Sequence, residues 1–460
     1  MNRLNIIGEQ IHSLSHEQSV TLNSANTMKL PSARLSGALM SSINKNVNLS
    51  NLHFSKTMTT PYQQSPSTSS SQSNRTFGNI APKEATAIHS LLSEKAASQL
   101  KISNFQNGLL LIQLNRPKQL HALTEPMVTA LGNLFAQARI DSDCKIVLLT
   151  SEGEKAFCAG GDVREVSRAH HDEAIQFFSN EYRMDYLVSR MQKPVISFWS
   201  GIVMGGGVGL SIFGSHRIAT EKTIFAMPET TIGLFPDVGA SHFLTKLPKG
   251  IGMYLGLTGM RINTKDLLHL GLATHFVPLC NLSALQNELQ QIVLSSSSTT
   301  HESIERILRK FTVTDPLDAM EPQISPTLEE NIQQYFGDEP QFHVMLERLK
   351  SNIQNPFCDE TLKMLRQKCP LSCGVWMELY RQAKSLNLLD SLRLDFKLVQ
   401  SFVKLDTNFI EGVRALLVDK DNLPHWNPAC LEDVTAPMIQ RLFNNPDAIP
   451  LDSKTSIPPP

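Results

Sequence analysis

A chain of 460 residues with 42 Lys and Arg against 43 Asp and Glu has no global field to draw it to nucleic acid or an anionic membrane, so recognition of a partner must be local. No uninterrupted apolar run approaches the roughly 20 residues of a membrane helix. The seven cysteines form no C-x-x-C pair and no metal-ligand spacing with histidine, which points to reduced structural thiols and no metal site.

In chain order, residues 1–80 stand apart. Ser, Asn and Thr dominate, and no acidic residue occurs from Thr21 to Lys83, while Lys29, Arg34, Lys45, Lys56, Arg75 and Lys83 are scattered through the stretch. Such a Ser-rich, basic, acid-poor segment reads as a disordered mitochondrial transit segment. A generic disordered tail has the same composition, and Glu9 and Glu17 weigh against import.

The folded part is predicted to begin near Ala85, with a short helical pattern over 85–97. Residues 108–114 (GLLLIQL) and 145–150 (KIVLLT) are apolar runs between turn residues, as buried strands require, and 125–136 carries apolar residues at helical spacing. Further strands are predicted at 194–198, 217–219 and 224–227, with a helix over 205–213. This alternation implies crossover units and an α/β core over 85–280. Residues 281–445 read as a mostly helical, more polar lid or packing extension with a Ser/Thr-rich break at 295–300, and 446–460 as a tail.

Three stretches carry chemistry. FAMPETTIGLFPDVG (225–239) sets Glu229 and Asp237 among apolar neighbours. Burial raises carboxylate proton affinity, and a second acid nearby raises it further, which suits general acid/base or nucleophilic work. The plain alternative makes Glu229 a helix cap and Asp237 a surface turn. GGGVG (205–209) follows an apolar segment and opens a helical pattern, offering backbone N–H groups to an anion, although a tight turn would use the same glycines. Its spacing is neither a dinucleotide fingerprint nor a P-loop. AFCAGGD (156–162) exposes further amides at Gly160 and Gly161. Cys158 within it has no local histidine to activate it and reads as a small buried residue.

LNRPKQLHAL (114–123), AFCAGGD, MGGGVGLS (204–211) and FAMPETTIGLFPDVG occur in the order and spacing of the enoyl-CoA hydratase/isomerase (crotonase) superfamily. The resemblance continues through LTGMRI (257–262) and GLATHFVP (271–278). It reaches EGVRALLVDKDNLPHWNP (411–428), which resembles the C-terminal signature of that superfamily's hydroxyisobutyryl-CoA hydrolases.

The resemblance implies a spiral of repeated ββα units with a helical C-terminal extension. It also implies a mitochondrial matrix enzyme of valine breakdown that hydrolyses a short β-hydroxyacyl-CoA. Coenzyme A would belong to the substrate, with no separate cofactor, no nucleic-acid or membrane partner, and homo-oligomer formation left open. Carried over residue by residue, the oxyanion hole for the thioester carbonyl is formed by the amides of Gly161 and Gly206. Glu229 would attack the carbonyl or activate water, and Asp237 would orient the substrate hydroxyl or the water. Glu181, in a helical stretch over 177–184, would line the pocket, unless it is a solvated helix residue.

Hydratases of the superfamily carry a glutamate three residues after the oxyanion glycine. This chain has Gly209 there, which disfavours water addition to an enoyl substrate. His121 replaces a usual asparagine where the superfamily lodges the adenine of CoA, which bears on affinity. Ala240-Ser241-His242 follow PDVG where small glycines are common, and would narrow the pocket near Asp237. Competing readings are a crotonase-fold hydratase or isomerase, and a non-catalytic subunit of the mitochondrial ribosome.

Overall fold

The computed structural model describes residues 92–294, 299–313, 315–404 and 407–453. The proposed transit segment, the helical pattern before Leu92 and the end of the C-terminal tail lie outside them. The first described helix is Glu94–Gln99, capped by the Ser93 hydroxyl.

Among the described residues ten strands form two sheets. In the larger sheet, β1 (Leu100–Asn104) pairs antiparallel with β2 (Leu109–Leu114). Parallel partners β3 (Ile146–Ser151), β5 (Val195–Trp199), β7 (His216–Ala219) and β10 (His275–Phe276) then follow in order. The smaller sheet runs β4 (Ala156–Cys158), β6 (Ile202–Met204), β8 (Ile224–Ala226) and β9 (Ile262–Asn263), the last antiparallel. Consecutive strands therefore alternate between sheets: β3 then β4, β5 then β6, β7 then β8. Helices follow each of these pairs, giving the spiral of ββα units.

The larger sheet is covered on both faces, which is why its strands read as continuous apolar runs. Leu110, Ile112 and Leu114 face the main core, while Leu109, Leu111, Ile146 and Leu148 face Leu282, Leu285, Leu289, Ile304 and Leu308. The latter five come from helices Leu279–Gln290 and Thr300–Phe311.

Five strands are not separated by the sequence pattern, β1, β4, β6, β9 and β10, the last two of only two residues each. β1 alternates weakly. β4 lies within what reads as a loop, and β6 was fused with β5 into one apolar segment. The break between β5 and β6 is Gly201: its φ of +72° turns the chain into the second sheet, and a Cβ there would run into the Lys155 carbonyl. The helices predicted at 125–136 and 177–184 are found with longer bounds, Glu125–Ile140, capped by Thr124, and His171–Ser189, whose Glu173 accepts from the His170 amide at 3.1 Å, and that predicted at 205–213 is Gly206–Ile212.

Among the described residues, every regular element from Leu279 onward is a helix or helical turn. Helices Pro370–Ala383, Leu388–Phe402 and Asn408–Val413 pack against the elements that carry the acidic motif. No helix among the described residues is long and apolar enough to cross a membrane.

Candidate active site

β4 and β6 are parallel neighbours, so the loops that follow them leave the sheet side by side. After β4, Leu123 donates to the Gly160 carbonyl at 2.8 Å and accepts from the Asp162 amide at 2.7 Å. These bonds leave the Gly161 amide outside the bridge. Arg116 ties the loop down through Asp162 at 2.9 Å, joining the LNRPK and AFCAGGD motifs. After β6, Gly206 opens the helix Gly206–Ile212; the Val208 amide donates to the Gly205 carbonyl at 2.8 Å, whereas the amide of the first residue, Gly206, has no intrahelical acceptor.

A Cβ built on Gly206 would lie 3.3 Å from the Gly161 nitrogen and overlap Glu181 Oε1. One on Gly205 would sit 2.8 Å from Glu229 Oε1. Two backbone amides and two glutamates thus border one small space that stays open because the turn has no side chains.

Glu229 begins the 3-10 turn Glu229–Ile232 after β8. The C-terminal region clamps that turn: the Cys369 amide donates to Thr230 O at 2.9 Å, and Lys368 Nζ to Thr231 Oγ1 at 2.7 Å. Asp237 Oδ2 accepts from the Tyr182 hydroxyl at 2.6 Å. Glu181, Glu229 and Asp237 are 2, 5 and 4% exposed, so Asp237 is not a surface turn and Glu181 is not a solvated helix residue.

Two further acids join this set without having been singled out. Asp185, one turn after Glu181 on the same helix, is fully buried with neither carboxyl oxygen partnered. It fills the space beside Gly209, where a Cβ would lie 2.5 Å from Asp185 Oδ2 and 2.7 Å from Val238 Cβ. Asp395, on the Leu388–Phe402 helix, is equally buried, and its Oδ2 accepts from the Gly239 amide at 2.9 Å. Both left a signal: Asp185 stands at i+4 from Glu181, and Asp395 interrupts the apolar stripe Leu392, Phe396, Val399.

Burial raises all five acids, and no cation counters it among the described residues. Asp237 is raised to about 6, with the Tyr182 hydrogen bond drawing it back down. Glu229 is raised by burial and then by the Asp237 charge. Glu181 is raised by burial and then by Asp237 and Glu229, and Asp185 by burial and then by Glu181, Asp237 and Asp395. Neighbouring acids with proton affinities pushed apart can supply a base and an acid in one site.

A groove of about 510 Å³ opens beside the glycine loop, lined by Leu123, Glu125, Asp162, Val166 and Phe177. Phe177 also lies against Gly161. His121 is buried and spends both ring nitrogens inside the protein: Nδ1 accepts from the Arg116 amide at 3.1 Å, and Nε2 lies 2.9 Å from Glu152 O. It braces the loop between the Arg116 amide and the Glu152 carbonyl. Cys158 is buried, its thiol pushed up to about 12, and its Sγ lies 3.2 Å from His121 O, as expected of a core residue. Ala240 and Ser241 are buried in the helix Ala240–Leu244. Among the described residues, no group of three or more His, Cys, Asp or Glu is arranged to hold a metal.

A profile described as enoyl-CoA hydratase/isomerase matches residues 109–443. The mitochondrial 3-hydroxyisobutyryl-CoA hydrolase of Gallus gallus is 36% identical over 74% of this chain and 87% of its own. For 3-hydroxyisobutyryl-CoA hydrolase 1 of Arabidopsis thaliana the figures are 35%, 79% and 97%. Among solved structures, an enoyl-CoA hydratase from Rhodobacter sphaeroides superposes with a TM-score of 0.65 at 30% identity, covering 75% of this chain and 97% of that one. A carnitinyl-CoA dehydratase from Mycobacterium thermoresistibile does so with 0.65 at 32%, covering 75% and 96%. With a profile running from β2 to the Ala436–Phe443 helix and relatives alike over most of their length, this chain belongs to the enoyl-CoA hydratase/isomerase family.

Proposed function

We propose that this chain hydrolyses the thioester of 3-hydroxyisobutyryl-CoA to the free acid and CoA, in the mitochondrial matrix and as a step of valine breakdown. The relatives named above support the substrate, and that of Gallus gallus is named mitochondrial.

The observation that carries the reaction type is the placement of acids around the glycine turn. Glu229 lies against Gly205, whereas the space at Gly209 is filled by Asp185. The turn has no acid of its own, so the pair of glutamates for adding water across a double bond is incomplete.

The thioester carbonyl oxygen accepts from the Gly161 and Gly206 amides. Donors fixed in advance stabilise the charge that develops there more than they stabilise the ground state. The Glu229 carboxylate then either attacks the carbonyl carbon, expelling the CoA thiolate and leaving an anhydride that water cleaves, or takes a proton from the water that attacks. Burial and then the Asp237 charge raise the proton affinity of Glu229, which suits a group that accepts a proton from water. Asp237, fixed by Tyr182, orients the 3-hydroxyl or the water. Glu181, whose Oε1 borders the Gly206 turn, lines the pocket for the bound ester. The acyl-CoA is the one small-molecule partner, and the chemistry calls for no separate cofactor.

Thiol release from a panel of acyl-CoA esters tests this directly. Turnover should be highest on 3-hydroxyisobutyryl-CoA, with negligible hydration of crotonyl-CoA. Hydration comparable to thiol release would overturn the reading in favour of the hydratase activity named for the R. sphaeroides structure.

A further inference from the structure

Asp237 is carried on a backbone that does not hold itself. The next two residues both have positive φ, Val238 at +51° and Gly239 at +74°, and the turn closes through the Ala240 amide donating to Asp237 O at 2.8 Å. For a β-branched residue such as Val238 that conformation is strained and persists only where the surroundings over-determine it.

The surroundings here are the C-terminal helix Leu388–Phe402. Its Leu388 Cδ1 and Leu392 Cδ2 would lie 3.0 and 3.5 Å from a Cβ on Gly239. Its Asp395 Oδ2 accepts the Gly239 N–H at 2.9 Å. The same helix reaches the other side of Asp237 through Phe396, which meets the Tyr182 ring edge-on at 6.4 Å. Tyr182 is the donor to Asp237.

We propose that Asp395 is a positioning residue for the hydrolysis: by holding the Gly239 amide it locks the strained Asp237–Gly239 turn, so the C-terminal extension completes the active site. This rests on the hydrolase reading above. Asp395 faces Asp237 from the turn, and Tyr182 and Asp185 from the His171–Ser189 helix. Burial and the Asp237 charge favour its neutral form. A neutral acid accepts the amide hydrogen bond without adding a second charge beside Asp237. Asn can do the same, whereas Leu is of similar size but has no acceptor.

The experiment measures thiol release, thermal unfolding and the pH profile of kcat for the full-length protein, Asp395→Asn and Asp395→Leu. Wild-type release of thiol establishes the underlying reading on its own; its absence would sink that reading first. With it in place, Asp395→Asn should keep kcat within about threefold and leave the pH profile unmoved. Asp395→Leu should lose about 10- to 100-fold in kcat at little cost in KM, as for a misplaced group, and should lose more on the 3-hydroxylated ester than on isobutyryl-CoA. Wild-type kcat in Asp395→Leu would overturn the proposal. So would a shifted pH profile or a tenfold loss in Asp395→Asn, a variant that settles the matter even if the Leu protein does not fold.

Discussion

Replacing Asp237 by Asn should stabilise the protein at neutral pH while impairing it as an enzyme. Burial raises this carboxyl from 3.8 to about 6, so the folded state holds the proton more tightly than the unfolded state. For an acid displaced upward, the stability linked to it is present below the unfolded value and is lost as pH rises through about 6. The displacement corresponds to about 3 kcal/mol of destabilisation at pH 7 and above. Asn removes that cost but brings an N–H₂ group that must find acceptors, at roughly 1–3 kcal/mol if it does not. The second effect does not depend on pH, so it cancels in a comparison across pH. Guanidinium unfolding of wild type and Asp237→Asn at about pH 4 and about pH 8 should give a stability difference that moves by most of 3 kcal/mol in favour of Asn between the two. A gap that stays constant within about 0.5 kcal/mol would refute the reasoning, because Asp237 would then titrate as it does in water.

Gly209→Glu should not convert the protein to a hydratase. Its Cβ would press on Asp185 Oδ2 and Val238 Cβ, so we expect a loss of about 2–4 kcal/mol and no crotonyl-CoA hydration, checked by denaturation and absorbance assay. His216 acts on pH stability in the opposite sense to Asp237. Burial lowers it from 6.5 to about 4 despite the Glu305 carboxylate 3.2 Å away, so stability present above pH 6.5 should be lost as pH falls towards 4. His216→Gln should flatten that acid limb in pH-dependent unfolding.

Most of the fold was legible because both faces of the larger sheet are covered. Runs such as GLLLIQL can then be nothing but buried strands, and helices such as Glu125–Ile140 announce themselves by a Thr cap and a Pro in the first turn. The second sheet was harder. Its strands are three residues or fewer, and what defines them is the Gly201 turn and pairing across the spiral, neither of which leaves a periodic trace.

Within the site, Gly161, Gly206, Glu229 and Asp237 sit inside contiguous motifs and are brought together as expected. Asp185 and Asp395 were missed for a physical reason. Each lies on a helix where a single acid reads as solvent-facing, and only the packing of that helix against the glycine turn or the Asp237 turn buries it. The bracing role of His121, whose ring nitrogens both engage backbone groups, was not legible because its partner Glu152 lies 31 residues away.

The role of Glu229 is tested most directly by Glu229→Gln. This change keeps size and hydrogen bonding but removes the charge needed to attack the ester or to accept a proton. Thiol release from 3-hydroxyisobutyryl-CoA should fall by about 100- to 10,000-fold, with thermal unfolding unharmed and binding of the ester retained. Near-wild-type thiol release from a folded Glu229→Gln protein would contradict the account.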